Sequence, residues 1–113
     1  MLRQFVETSI FSKRWVDLGL DDYDLLELQK YLLKRPTCGA VISGTGGARK
    51  LRFAISNRGK SGGARVIYVD VLQDKQIHLL ICYAKSEQGD LTEQQKKQLK
   101  ALIKTIKEGK KRG

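Results

Sequence analysis

Residues 49–84, RKLRFAISNRGKSGGARVIYVDVLQDKQIHLLICYA, carry the pattern of paired strands. Leu51, Phe53 and Ile55 alternate with Lys50, Arg52 and Ala54. That period of two turns successive side chains to opposite faces of a strand. The run Ser56-Asn57-Arg58-Gly59-Lys60-Ser61-Gly62-Gly63 is rich in turn residues and longer than a tight two-residue hairpin connection. A second strand is expected over about 64–72, a short turn at Asp74-Lys75, and a third strand over 76–84. In the third, Ile77, Leu79 and Ile81 on one face and Leu80 and Cys82 on the other are mainly apolar, which predicts a strand inside the sheet with both faces covered. The segment reads as a three-strand meander.

Near the N-terminal end, Phe5 and Val6 suggest a short edge strand. Thr8 or Ser9 can cap a helix carrying Phe11, Trp15 and Leu18 at helical spacing, closed by Gly19. Asp21 or Asp22 caps a second helix, with acids in its first turn and Lys30, Lys34 and Arg35 towards its end, the order that suits the helix dipole. Pro36 stops it. Both helices are expected on one face of the sheet. Beyond the meander, Thr92 and Gln95 have capping-box spacing, and Leu99, Leu102, Ile103 and Ile106 form the stripe of a last helix. Gly109 and the tail 110–113 are expected to fray. The fold class is therefore α+β: a small antiparallel sheet, made of the N-terminal strand and the meander, packed against two N-terminal helices and a C-terminal helix in one domain over residues 1–113.

The chain of 113 residues carries a formal net charge of +10, and the distribution of that charge is informative. Residues 1–27 hold six acids against three bases. From Leu28 to Val69 there is no acid, and nine bases stand there. A second block, Lys96 to Arg112, has eight bases against Glu108. A long segment of one sign points to a polyanion partner through steering and counterion release. No apolar run approaches the roughly 20 residues of a membrane span, and no signal-peptide pattern opens the chain, so a cytoplasmic protein with no membrane partner is expected. Cys38 and Cys82 lie far apart and outside any CxxC spacing, and His78 is the one histidine, so reduced thiols and no metal or cofactor are expected.

If Leu51, Phe53 and Ile55 face the core, Lys50 and Arg52 project together from the other face, and Arg65 on the neighbouring strand approaches them. Arg58 and Lys60 add charge from a glycine-rich loop that lets backbone come close to a phosphate. The Gly44-Thr45-Gly46-Gly47 turn lacks the spacing of a nucleotide-binding loop. His78, among apolar neighbours, reads as a packed or hydrogen-bonded residue, and no serine or cysteine has a recognisable base partner. Any catalysis would fall to cations.

Three blocks taken in order carry a resemblance: Gly44-Thr45-Gly46-Gly47-Ala48-Arg49-Lys50-Leu51-Arg52, then Gly62-Gly63-Ala64-Arg65-Val66-Ile67-Tyr68, then Tyr83-Ala84-Lys85-Ser86-Glu87 before Asp90-Leu91-Thr92. Across essentially the whole chain the sequence resembles the RelE/ParE superfamily of toxin–antitoxin toxins, and within it the RelE/HigB-type mRNA interferases. The resemblance implies a ribosome-dependent endoribonuclease that inhibits translation. It would act on mRNA in the ribosomal A site, with the ribose 2′-hydroxyl attacking the adjacent phosphate and no metal taking part. Carried over, Lys50, Arg52, Arg65 and Lys85 are the catalytic set, with Arg52 and Arg65 on the scissile phosphate and Lys50 or Lys85 in proton transfer. Arg49, Arg58, Lys60, Tyr68 and Tyr83 are candidate RNA-binding residues, and Glu87 stands where it can orient Lys85. The sequence departs from the best-known RelE pattern at Ser86, where that pattern has an arginine, and near Thr92, where it has a tyrosine. The implied partner is a HigA-like antitoxin in a higher-order complex, the toxin alone being a monomer. The alternative within the superfamily is a ParE-like, non-catalytic inhibitor of DNA gyrase.

Overall fold

The computed structural model describes residues 3–54 and 63–109. Ile55, the loop with Arg58 and Lys60, and the tail 110–113 lie outside the described residues. The elements run β1 (Gln4–Glu7), α1 (Ser9–Asp17), α2 (Asp22–Lys34), β2 (Ala40–Val41), β3 (Arg49–Phe53), β4 (Ala64–Val71), β5 (Gln76–Ala84) and α3 (Glu93–Gly109). A single 3-10 turn, Leu72–Asp74, joins β4 to β5.

The helix starts follow from side chains that take up otherwise unpaired amides. Thr8 Oγ1 accepts the Phe11 amide at 2.9 Å and donates to the Leu80 carbonyl at 2.7 Å, so one hydroxyl caps α1 and fastens it to β5. Asp21 and Asp24 form a reciprocal capping box on α2. Thr92 and Gln95 do the same ahead of α3, at 2.9 and 3.1 Å. Gly19, at φ +81°, supplies the left-handed turn between α1 and α2.

The strands form one five-stranded sheet in the order β1-β5-β4-β3-β2. The three meander strands pair antiparallel as expected. Two features correct the expected all-antiparallel, four-stranded sheet. The two-residue strand β2 pairs with β3, and β1 runs parallel to β5 with Phe5 opposite Ile77. A four-residue edge strand carries no local signal for the direction of its partner. Its orientation is fixed by the Thr8 cap and by where α1 must lie to bury Phe11 and Trp15.

The sheet is covered on both sides. Phe11, Trp15, Leu18, Leu28 and Leu32 from α1, α2 and the turn between them pack on Leu51, Val66, Tyr68, Ile77, Leu79 and Cys82. On the opposite face, Leu99 and Ile103 of α3 pack on Ile67, Val69, Val71, Leu80 and Tyr83. β5 changes phase between the two faces. Ile67 pairs with Ile81 but Tyr68 pairs with Leu79, which leaves Leu80 as an extra, bulged residue. In consequence Ile81 joins the α3 side and Cys82 the α1/α2 side, the reverse of strict alternation from Ile77. The bulge also turns Tyr83 towards α3, and it is at this end of that face that the candidate site lies.

Candidate functional site

Position Lys50 first. On β3, Leu51 and Phe53 pack into the α1/α2 core, so Lys50 and Arg52 point to the α3 side. The register sets Arg52 directly opposite Arg65 and Lys50 opposite Ile67. Arg65 pairs on its other side with Tyr83, the penultimate residue of β5, and the chain then turns sharply into Lys85. That turn is tied to the start of β4, where the Lys85 amide donates to the Gly63 carbonyl at 3.1 Å. Three strand ends and one loop thus converge, and Lys50, Arg52, Arg65, Lys85, Gly89 and Asp90 line one cleft of about 440 Å³. All four residues expected to be catalytic are brought together.

The cleft also holds Asp90, which in the sequence stands out only as part of the third block and carries no expected role. Asp90 reaches back so that Lys50 Nζ donates to Asp90 Oδ1 at 3.1 Å. Its loop is held from both sides. Gln88 Nε2 donates to the Asp90 carbonyl at 2.9 Å and to Gln95 Oε1 at 3.1 Å, while Leu91 is buried beneath. The hydrogen bond from Lys50, then its charge, hold the Asp90 carboxyl below its ordinary range, and Lys96 of α3 adds to the effect. Forty residues separate Lys50 from Asp90, and no local pattern links them.

The remaining candidates are placed differently. Tyr68 points to the α1/α2 core, fully buried; its hydroxyl donates to the Pro36 carbonyl at 2.9 Å and accepts the Gly39 amide at 3.0 Å. Burial, ahead of every other influence, pushes its pKa up to about 12. Tyr68 is therefore a core residue holding the α2–β2 connection, not a surface for a base. Arg49 shares that side of β3 and donates to the Thr37 and Gly39 carbonyls at 3.1 and 2.8 Å, also away from the cleft. Tyr83 lies under the cleft floor, only 2% exposed, so neither ring face is open for stacking. Its hydroxyl is buried with no hydrogen-bond partner among the described residues, and burial followed by the nearby Asp90 charge raises its pKa. Glu87 turns away from Lys85: it accepts the Ala84 amide at 3.0 Å and pairs with Arg14 of α1. Arg58 and Lys60 fall outside the described residues.

The features set aside in the sequence are structural. Thr45 Oγ1 donates to the Ile42 carbonyl at 2.6 Å and accepts the Ala48 amide at 3.0 Å, so the glycine-rich turn closes on itself. His78 is half-buried and bonded to Gln76 at 3.0 Å. Cys38 and Cys82 are free thiols. Among the described residues there is no group of three His, Cys, Asp or Glu side chains placed to hold a metal ion, and no helix long and apolar enough to cross a membrane.

A cleft lined by four cations and one carboxylate is suited to an anionic, phosphate-bearing ligand. Comparison with known proteins gives the family and the fold. A family model described as the RelE toxin of the RelE/RelB toxin–antitoxin system matches residues 9–112. The fold resembles an arginine-to-alanine double mutant of the E. coli toxin RelE in the free state, at 16% identity and a TM-score of 0.54, over 77% of this chain and 87% of that one. It also resembles a chain of the intact E. coli RelBE toxin–antitoxin complex, at 16% identity and a TM-score of 0.52, over 74% of this chain and 96% of that one. With nearly its whole length matched by the family model, the chain belongs to the RelE toxin family.

Proposed function

We propose that this protein is a ribosome-dependent endoribonuclease that cuts mRNA in the ribosomal A site and so arrests translation. The observation that carries the reading is the convergence of Lys50, Arg52, Arg65 and Lys85, drawn from β3, β4 and the turn after β5, on one cleft. Arg52 and Arg65 bind the scissile phosphate and stabilise the charge that builds on it as the 2′-hydroxyl attacks, leaving a cyclic phosphate and a 5′-hydroxyl. A lysine, Lys50 or Lys85, returns a proton to the departing 5′-oxygen. The chemistry is metal-independent in this reading; the lining is cationic, and the fixed positive charge does the work a divalent ion would otherwise do.

The partners follow from the same reading. The natural ligand of the toxin at rest is a HigA-like antitoxin, whose acidic groups answer the basic surface, and the toxin alone is a monomer working in the cytoplasm, where its substrate is translated. Primer extension on an mRNA incubated with purified protein tests the reading. Cuts that appear only with translating ribosomes are expected. Intact mRNA beside inhibited DNA gyrase would overturn it in favour of a ParE-like poison.

A further inference from the structure

The proton taken from the 2′-hydroxyl needs an acceptor at the cleft. Lys50, Arg52, Arg65 and Lys85 are donors, and Lys50 is seen donating. Gly89 contributes no side chain. Among the residues that line the cleft, Asp90 is the one whose side chain accepts a proton in its ordinary state at neutral pH.

We propose that Asp90 is the general base of the cleavage, a role that rests on the nuclease reading above. Its carboxylate takes the proton as the O–H bond of the 2′-hydroxyl breaks and the 2′-oxygen bonds to phosphorus. The bond from phosphorus to the 5′-oxygen breaks in turn, and that oxygen takes a proton from the ammonium of Lys50 or Lys85. The enzyme is left with a carboxylic acid and a neutral amine, and one proton passed between them through water restores both. The position suits the task. Asp90 is mostly solvent-exposed at the mouth of the cleft, so a hydroxyl can reach it, while Gln88 and the buried Leu91 hold its backbone. The groups facing it are Lys50 and Arg52 from β3, Arg65 from β4, Tyr83 from β5, Lys85 from the following turn and Lys96 from α3. Five of these six are cations, and of them Lys50, by its hydrogen bond and then its charge, and Lys96 favour the ionised carboxylate.

Asp90→Asn separates a base from a residue that only steadies Lys50, because the amide oxygen still accepts from Nζ but cannot take a proton. In single-turnover cleavage on mRNA-programmed ribosomes, Asp90→Asn is expected to slow the reaction by about 100-fold or more. Binding of a 2′-O-methyl RNA that cannot react should be held or tightened. Asp90→His should restore part of the rate with a new dependence on pH, rising through about 6.5. An Asn variant that cuts as fast as wild type overturns the assignment, as does one that cuts faster, which would make Asp90 a plug in the cleft instead. If wild type cuts mRNA while these variants keep its rate and pH profile, only the role of Asp90 falls. If wild type leaves ribosome-bound mRNA intact, the nuclease reading falls and takes this proposal with it.

Discussion

Arg52 and Arg65 stand directly opposite one another on β3 and β4, two like charges on the same face of the sheet. Arg65 is 6% exposed, so one of the two guanidinium groups is largely withdrawn from water. Opposed like charges weaken a strand pair. An anion placed between them turns the repulsion into binding.

Replacing either arginine should therefore separate activity from stability. Arg52→Ala is expected to hold or raise the melting temperature, since relief of the opposed pair contributes about 0.2–1 kcal/mol. Arg65→Ala should still fold and abolish growth inhibition. Cleavage should fall by about 100- to 1000-fold in each, the usual loss when one donor to a developing oxyanion is removed. Thermal melts beside a cleavage assay check both halves; full toxicity of Arg65→Ala would remove it from the site.

Tyr83→Phe tests the floor of the cleft. The Tyr83 hydroxyl is buried without a hydrogen-bond partner among the described residues, and leaving such a group unsatisfied costs about 1–3 kcal/mol. Its removal should stabilise the fold and leave the cleavage rate unchanged. A large loss of rate with an intact melting transition would show that the hydroxyl meets the substrate.

Alkaline pH should loosen the other face. Tyr68 is raised from 10.0 to about 12 and Cys82 from 9.0 to about 12, both by burial. Each group holds its proton more tightly in the folded state than in the unfolded one. The stability they contribute is whole below about pH 9 and is lost as pH rises towards 12, on the order of 2 kcal/mol for Tyr68. Tyr68→Phe should be less stable at neutral pH, through loss of the bonds to Pro36 and Gly39, yet flatter between pH 10 and 12. Denaturant midpoints measured across that range decide it.

Gly63→Ala should damage the site from outside it. Gly63 has φ +67°, and a Cβ there would lie 2.6 Å from the Phe53 carbonyl oxygen. The left-handed conformation alone costs a non-glycine residue about 1–3 kcal/mol, and the clash adds to it. Because the Gly63 carbonyl holds the Lys85 amide, both the melting temperature and the cleavage rate should drop. An alanine variant with wild-type activity would show that this tie does not place Lys85.

Much of this was legible in the sequence because it is local. The alternation around Leu51 put Lys50 and Arg52 on one face, a cap at Asp21 or Asp22 and the Thr92–Gln95 pair marked helix starts, and Arg65 followed from a hairpin with known period. What escaped depends on contacts between distant segments. The bulge at Leu80 breaks the period of β5 with no glycine to announce it, and it is the reason Tyr83 faces α3. The burial of Tyr68 depends on Pro36 and Gly39 folding over it. Asp90 lies forty residues from Lys50, and only the turn after β5 brings it across.

The parallel pairing of β1 with β5 carries a consequence for synthesis. The first strand to be made finds its partner only when residues 76–79 have appeared, so the sheet closes late and over a long stretch of chain. Lys85 and Asp90, made later still, complete the cleft. Until those residues have been made, the cations that line the cleft are not brought together. A chain broken off before Lys85 lacks two of the residues that line the cleft, Lys85 and Asp90.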